Sequence, residues 1–170
     1  AGMILGYPVI DLKSTARRLD IGIEGYPDYD KINFGQVHPN VDPADIFVRE
    51  NNKTYVNFEI AMNAYMFGGY PTDEQKYQYS LQNHVTDTTP PAFIWHGGED
   101  GLIYPRNSFM FAEALREHNV PCELHVFGKG GHGLGLANEV TENNPWEVNE
   151  QCARWPKLAA DWIKSILRQQ

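Results

Sequence analysis

The chain has 170 residues, 42% hydrophobic and 21% charged, and a formal net charge of −8 from 22 acidic and 14 basic residues. That length supports one domain with a proper core, and the composition excludes a disordered, collagenous or fibrous protein. The negative charge, with no Lys/Arg cluster to offset it, argues against nucleic acid and anionic lipid as partners and favours neutral or cationic substrates.

The first element is the apolar run Met3-Ile4-Leu5-Gly6-Tyr7-Pro8-Val9-Ile10, closed by a proline, which predicts a strand buried on both faces. It has no basic stretch before it and reads as a strand already under way. The start of this chain is therefore expected to differ from the start of the gene product. From Asp11 to about Asn52 the sequence is dense in Gly, Pro, Asp and Asn and predicts a long irregular stretch. Tyr26, Tyr29, Phe34, Phe47, Tyr55 and Tyr70 crowd this region and its flank, and are expected to form a small core of their own rather than a sugar- or acyl-stacking surface.

Residues Phe58, Ala61, Met62, Tyr65 and Met66 fall on one helical stripe, which Gly68-Gly69 stops. Thr72 and Gln75 form a capping box for a short helix ending near Ser80. Pro90-Pro91 precede a second buried strand, Ala92 to His96. Pro105 then opens a helix whose Phe111, Ala114 and Leu115 share a face. Asn119 ends that helix, and a third strand follows over Glu123 to Phe127. A glycine-rich loop runs from Gly128 to Gly135. The last helix has Pro156 in its first turn and buries Leu158, Ala159, Trp162 and Ile166.

Strand, helix, strand, helix in this order predicts an α/β fold of parallel strands with helical crossovers and a long insertion after the first strand. In such sheets functional groups gather on loops at the carboxyl ends of strands. Two segments with chemistry-bearing residues sit there, His96-Gly97-Gly98-Glu99-Asp100-Gly101-Leu102-Ile103 and Gly128-Lys129-Gly130-Gly131-His132-Gly133-Leu134-Gly135.

The pattern H-G-x-x-D-x-x-[VI], then a helix, then a strand leading to G-G-H-G, resembles the acid and base loops of α/β-hydrolases. Further strings, Leu81-Gln82-Asn83-His84-Val85, Thr89-Pro90-Pro91-Ala92-Phe93-Ile94-Trp95-His96, Ser108-Phe109-Met110-Phe111-Ala112-Glu113-Ala114-Leu115 and Gly131-His132-Gly133-Leu134-Gly135-Leu136, are similar to the acetyl-xylan-esterase-like, esterase/lipase branch. The likeness covers about residues 3–10 and 68–167 and corresponds to the C-terminal part of that fold. It implies a single, N-terminally incomplete domain over residues 1–170, with about 11–89 as an insertion or cap-like region.

By that resemblance Asp100 is the acid and His132 the base of a Ser-His-Asp triad. A serine hydroxyl needs such a base, and the base needs a carboxylate to fix its tautomer and stabilise the imidazolium. The nucleophile is expected outside this chain: Ser14, Ser80, Ser108 and Ser165 lack the flanking glycines of a G-x-S-x-G elbow. The implied activity is hydrolysis of short-chain esters, acetyl groups on carbohydrate among them. The alternatives are a non-catalytic remnant or binding module, and another α/β-hydrolase reaction such as that of a peptidase.

Glu99, next to Asp100, is expected to point elsewhere, so a glycosidase-type acid pair is not predicted. His96 is expected to support its loop and His125 to face away from Leu124 and Val126. His118, near a helix end, can interact favourably with the helix dipole. His84 and His38 fall in loops, and His38 is a minor candidate for substrate contact. The histidines form no H-E-x-x-H or close ligand set, so neither a metal nor a cofactor is expected. Cys122 and Cys152 match no C-x-x-C or disulfide framework and are expected to be buried thiols. A strand as apolar as Met3–Pro8 is expected to pair on its outer side with the N-terminal half of the same protein or with a second copy.

Overall fold

A computed structural model describes residues 2–13, 40–50, 53–142 and 144–168. The elements that carry the site form one parallel sheet of three strands, β1 (Met3–Gly6), β4 (Ala92–Gly97) and β5 (Cys122–Phe127), in the spatial order β1-β4-β5. Met3 to Gly6 align with Ala92 to Trp95, and Ala92 to Gly97 align with Cys122 to Phe127, so all three strands end on the same edge.

The central strand β4 is buried at every position because helices cover both of its faces. On one side Ala92 and Ile94 pack with Phe111, Ala114 and Leu115 of α4 (Arg106–Glu117), joined by Ile10, Val85 and Val120. On the other side Phe93 and Trp95 pack with Leu134, Ala137 and Cys152, and with Ala159 and Trp162 of α5 (Trp155–Leu167). Helix α4 ends where Asn119 adopts a left-handed φ of 59°, a conformation Asn tolerates better than most side chains. The chain then turns directly into β5.

The expectation that β1 is buried on both faces is corrected. Met3 and Leu5 pack into the first cluster, but Ile4 is 45% exposed, because α5 covers β4 and leaves the outer flank of β1 open. The irregular stretch is also corrected at its end. Residues Pro43–Ile46 form a short helix (α1), and β2 (Phe47–Glu50) pairs antiparallel with β3 (Lys53–Val56) in a separate two-stranded sheet. The sequence signal is Asn51-Asn52 between the two runs, a pair of residues that suits tight turns. Tyr26, Tyr29, Phe34 and His38 lie outside the described residues.

Helix α2 (Phe58–Phe67) is capped by the Asn57 side chain and ended by Gly68 at φ 68°. Its buried face differs from the predicted stripe. Ala64 and Asn63 face inward, while Tyr65 and Met66 are exposed. The predicted capping box at α3 (Asp73–Tyr79) is present in full, with Thr72 and Gln75 each bonded to the other's backbone N–H.

Candidate active site

Because β4 and β5 are adjacent and parallel, the loops that leave them rise side by side, and backbone contacts knit them together. The Gly98 N–H donates to the Phe127 carbonyl at 2.6 Å and the Glu99 N–H to the Gly130 carbonyl at 3.0 Å. Side chains would keep the loops apart. A Cβ at Gly97 would lie 2.3 Å from the Gly130 carbonyl oxygen, and one at Gly98 would lie 2.6 Å from that of Phe127. Gly130 itself sits at φ +108° against the Cys152 thiol. The glycines therefore set the approach of the loops.

That approach brings His132 Nδ1 to 2.8 Å from Asp100 Oδ2. Asp100 is 2% exposed and surrounded by donors. Its Oδ1 accepts the N–H groups of Leu102 at 3.0 Å and Ile103 at 2.8 Å, while His96 Nε2 lies 3.1 Å from Oδ2. Burial alone would push the Asp100 carboxyl pKa up. Hydrogen bonds from His132, His96 and the Ile103 amide outweigh it and bring the value down to about 2.

The third strand contributes Tyr7, at the exit of β1. Its N–H donates to the Trp95 carbonyl at 2.8 Å. Its ring meets the His132 imidazole edge-on, with centroids 4.8 Å apart, and Trp95 in the same manner at 5.0 Å. Tyr7 has a φ of 39°, unusual for a bulky residue and a mark of a constrained position. Beside it opens a cavity of about 310 Å³, lined by Ile4, Tyr7, Trp95, Leu136, Thr141 and Trp155 among others. His132 thus stands above the ends of all three strands. Its side chain is 29% exposed, and its Nε2 makes no hydrogen bond among the described residues. An imidazole held through Nδ1 by a buried carboxylate, with Nε2 open, is suited to take a proton from a hydroxyl placed beside it.

The other candidates fall elsewhere. Glu99 turns outward to pair with Lys129. His125 lies on the α5 side of the sheet, 5.3 Å from Phe93 by ring centroids and bonded to Glu123. His84 Nε2 contacts the Gln78 carbonyl at 2.6 Å, and His118 caps α4. Both cysteines are free; Cys152 is buried and Cys122 half-buried. Among the serines, Ser80 bonds to the Lys76 carbonyl, Ser108 to His96 and Ser165 to the Trp162 carbonyl, while Ser14 lies outside the described residues. The sequence reading leaves Tyr7 unassigned; its only signal is its place on the last turn of a strand end that the topology brings beside His132.

A three-stranded parallel sheet covered on both faces of its central strand, with a carboxylate and an imidazole meeting on loops after consecutive strands, forms part of an α/β-hydrolase fold. A solved carboxylesterase from Lactobacillus plantarum is similar over 97% of this chain and 44% of its own, at 30% identity and a TM-score of 0.62. An acetyl ester-xyloside bifunctional hydrolase from Caldicellulosiruptor lactoaceticus covers 97% of this chain and 42% of its own, at 27% identity and a TM-score of 0.60. A stretch of 74 residues, 44% of the chain, is 46% identical to endo-1,4-beta-xylanase B of Butyrivibrio fibrisolvens and spans 12% of that protein. The sequence model of the prolyl oligopeptidase family matches residues 46–149, and the chain belongs to that family. It spans less than half the length of the solved structures it matches.

Proposed function

We propose that this chain supplies the acid and the base of a serine carboxylesterase that removes short acyl groups, acetyl above all, from carbohydrate. The observation that carries the proposal is the 2.8 Å contact between His132 Nδ1 and the buried Asp100 carboxylate, with Nε2 left open. In this reading a serine on a segment outside the chain attacks the ester carbonyl as His132 Nε2 takes its proton. His132 returns that proton to the leaving alcohol, and water then releases the acyl group by the same route. Asp100 stays ionised throughout and holds the imidazole.

The substrate class rests on likeness: one neighbour bears the name of a carboxylesterase, another that of an acetyl ester-xyloside hydrolase, and the 46%-identical stretch belongs to a protein named a xylanase. The reading also pairs the open flank of β1 with the segment that bears the nucleophile, since β1 has a strand neighbour on one side only among the described residues. A second reading, peptide hydrolysis, draws on the family to which the chain belongs.

Two substrates separate these readings. The protein carrying this chain together with its G-x-S-x-G segment is assayed on p-nitrophenyl acetate and on a p-nitroanilide peptide, and its serine is labelled with a fluorophosphonate. Acetate turnover with labelling supports the esterase. Turnover of the anilide alone moves the assignment to a peptidase, and failure of both together with failure to label leaves a non-catalytic module. Cross-linking from the β1 edge that joins two copies, rather than the nucleophile segment, would overturn the pairing.

A further inference from the structure

His96 is completely buried at the end of β4, and each of its ring nitrogens has a partner. Nε2 lies 2.8 Å from the Ile103 carbonyl oxygen and 3.1 Å from Asp100 Oδ2; Nδ1 lies 2.7 Å from the Ser108 hydroxyl on α4. A carbonyl oxygen can only accept, so Nε2 carries a hydrogen. In the neutral ring Nδ1 is then the lone-pair nitrogen, and the Ser108 O–H donates to it. Ser108 is itself fully buried, and its hydroxyl makes no other hydrogen bond among the described residues.

Around Asp100 the consequence is a complete set of donors: two backbone N–H groups on Oδ1, and two imidazole nitrogens, His96 Nε2 and His132 Nδ1, on Oδ2. A carboxyl proton would have no acceptor to meet. The opposite tautomer of His96 would turn a lone pair toward both the Ile103 carbonyl and the carboxylate, which repel it.

We propose that Ser108 and His96 are positioning residues for His132: the Ile103 carbonyl fixes the His96 tautomer, the Ser108 hydroxyl donates to Nδ1 and holds the ring in place, and His96 Nε2–H fixes the Asp100 oxygen on which the His132 Nδ1–H rests. The inference rests on the reading of His132 as a base. It extends the two-residue contact to a chain of four side chains running from α4 through β4 to the loop after β5. It also gives a polar serine a reason to occupy a fully buried position on α4.

The test is NMR on the protein that carries this chain together with its G-x-S-x-G segment, and it needs no turnover. In the wild type the His132 ring Nδ1–H is expected as a slowly exchanging proton resonance downfield of the amides, and the His96 ring nitrogens as one protonated (Nε2) and one unprotonated (Nδ1). His96→Phe removes the donor, and the His132 resonance is lost. His96→Gln, whose amide can donate from nearly the same place, retains it. Ser108→Ala speeds its exchange by about tenfold or more, the scale of one buried hydrogen bond, and Ser108→Thr restores the wild-type rate. Leu115→Ala, in the same core and without contact to Asp100, is the control for loosening alone and leaves the resonance in place. If His96→Phe does not fold, Ser108→Ala and His96→Gln decide.

An unchanged resonance in folded Ser108→Ala, or its loss in His96→Gln, would overturn the proposal while leaving the Asp100–His132 pair intact. Absence of the resonance from the wild type would instead remove that pair, and the esterase reading with it.

Discussion

Gly97 faces the Gly130 carbonyl so closely that a methyl group in place of its hydrogen would stand 2.3 Å from the oxygen. Neither loop can retreat freely, because the Glu99 N–H is bonded to that same carbonyl at 3.0 Å. Gly97→Ala is therefore expected to destabilise the fold by about 1–3 kcal/mol or more through overpacking. It should also separate Asp100 from His132. Gly101, three residues beyond the neighbouring Gly98, has open space where a Cβ would go. Gly101→Ala is expected to stay within about 0.5 kcal/mol of wild type. Urea unfolding of the two variants side by side measures the contrast; equal stabilities would mean that the loops do not lock together as described.

Acid should reveal how Asp100 is held. Its carboxyl titrates at about 2 in the folded chain, below the ordinary value of 3.8 that it regains on unfolding. The group thus contributes stability above the unfolded value, and this is lost as pH falls from about 4 to about 2. The amount is about 2 kcal/mol. Urea midpoints measured across that range should fall for the wild type, and less steeply for Asp100→Asn. Parallel curves would show that the carboxylate gains nothing from its donors.

Cys152 lies under the His132 loop, fully buried, with its thiol 3.3 Å from the Lys129 carbonyl and touching the space a Cβ on Gly130 would need. Burial pushes the thiol up to about 11. From the reference value of 9.0 that lowers its thiolate population about 100-fold, so alkylation by iodoacetamide at mildly alkaline pH should lag a free cysteine by at least that factor. Peptide mapping after timed labelling reads the rate at this position. Fast labelling in the folded state would mean that the glycine-rich loop opens readily.

What was legible in the sequence was mainly what local chemistry dictates. The strand Ala92 to His96 announces itself as a β-branched and aromatic run after Pro90-Pro91, and Thr72 with Gln75 marks a helix start that needs no tertiary contact. Asp100 and His132 stand out because glycines surround them at strand exits, where close approach of two loops requires glycine. Their mutual distance was an expectation drawn from family resemblance and supplied by parallel pairing of β4 with β5. The failures share a cause. The inward face of α2 and the exposure of Ile4 depend on what packs against them from distant parts of the chain, and periodicity cannot specify that. Likewise Ser108 reads as an ordinary helix residue until β4 places His96 2.7 Å from its hydroxyl.

In the proposed esterase His132, held by Asp100, is the base. The variant His132→Ala is made in the protein that includes the G-x-S-x-G segment, and initial rates are measured on p-nitrophenyl acetate. The expected loss in kcat is about a thousandfold or more, with Asp100→Asn falling by a comparable factor because the imidazole loses its correct tautomer. An active wild type whose His132→Ala variant loses less than about tenfold, far below the usual contribution of a general base, would contradict the assignment.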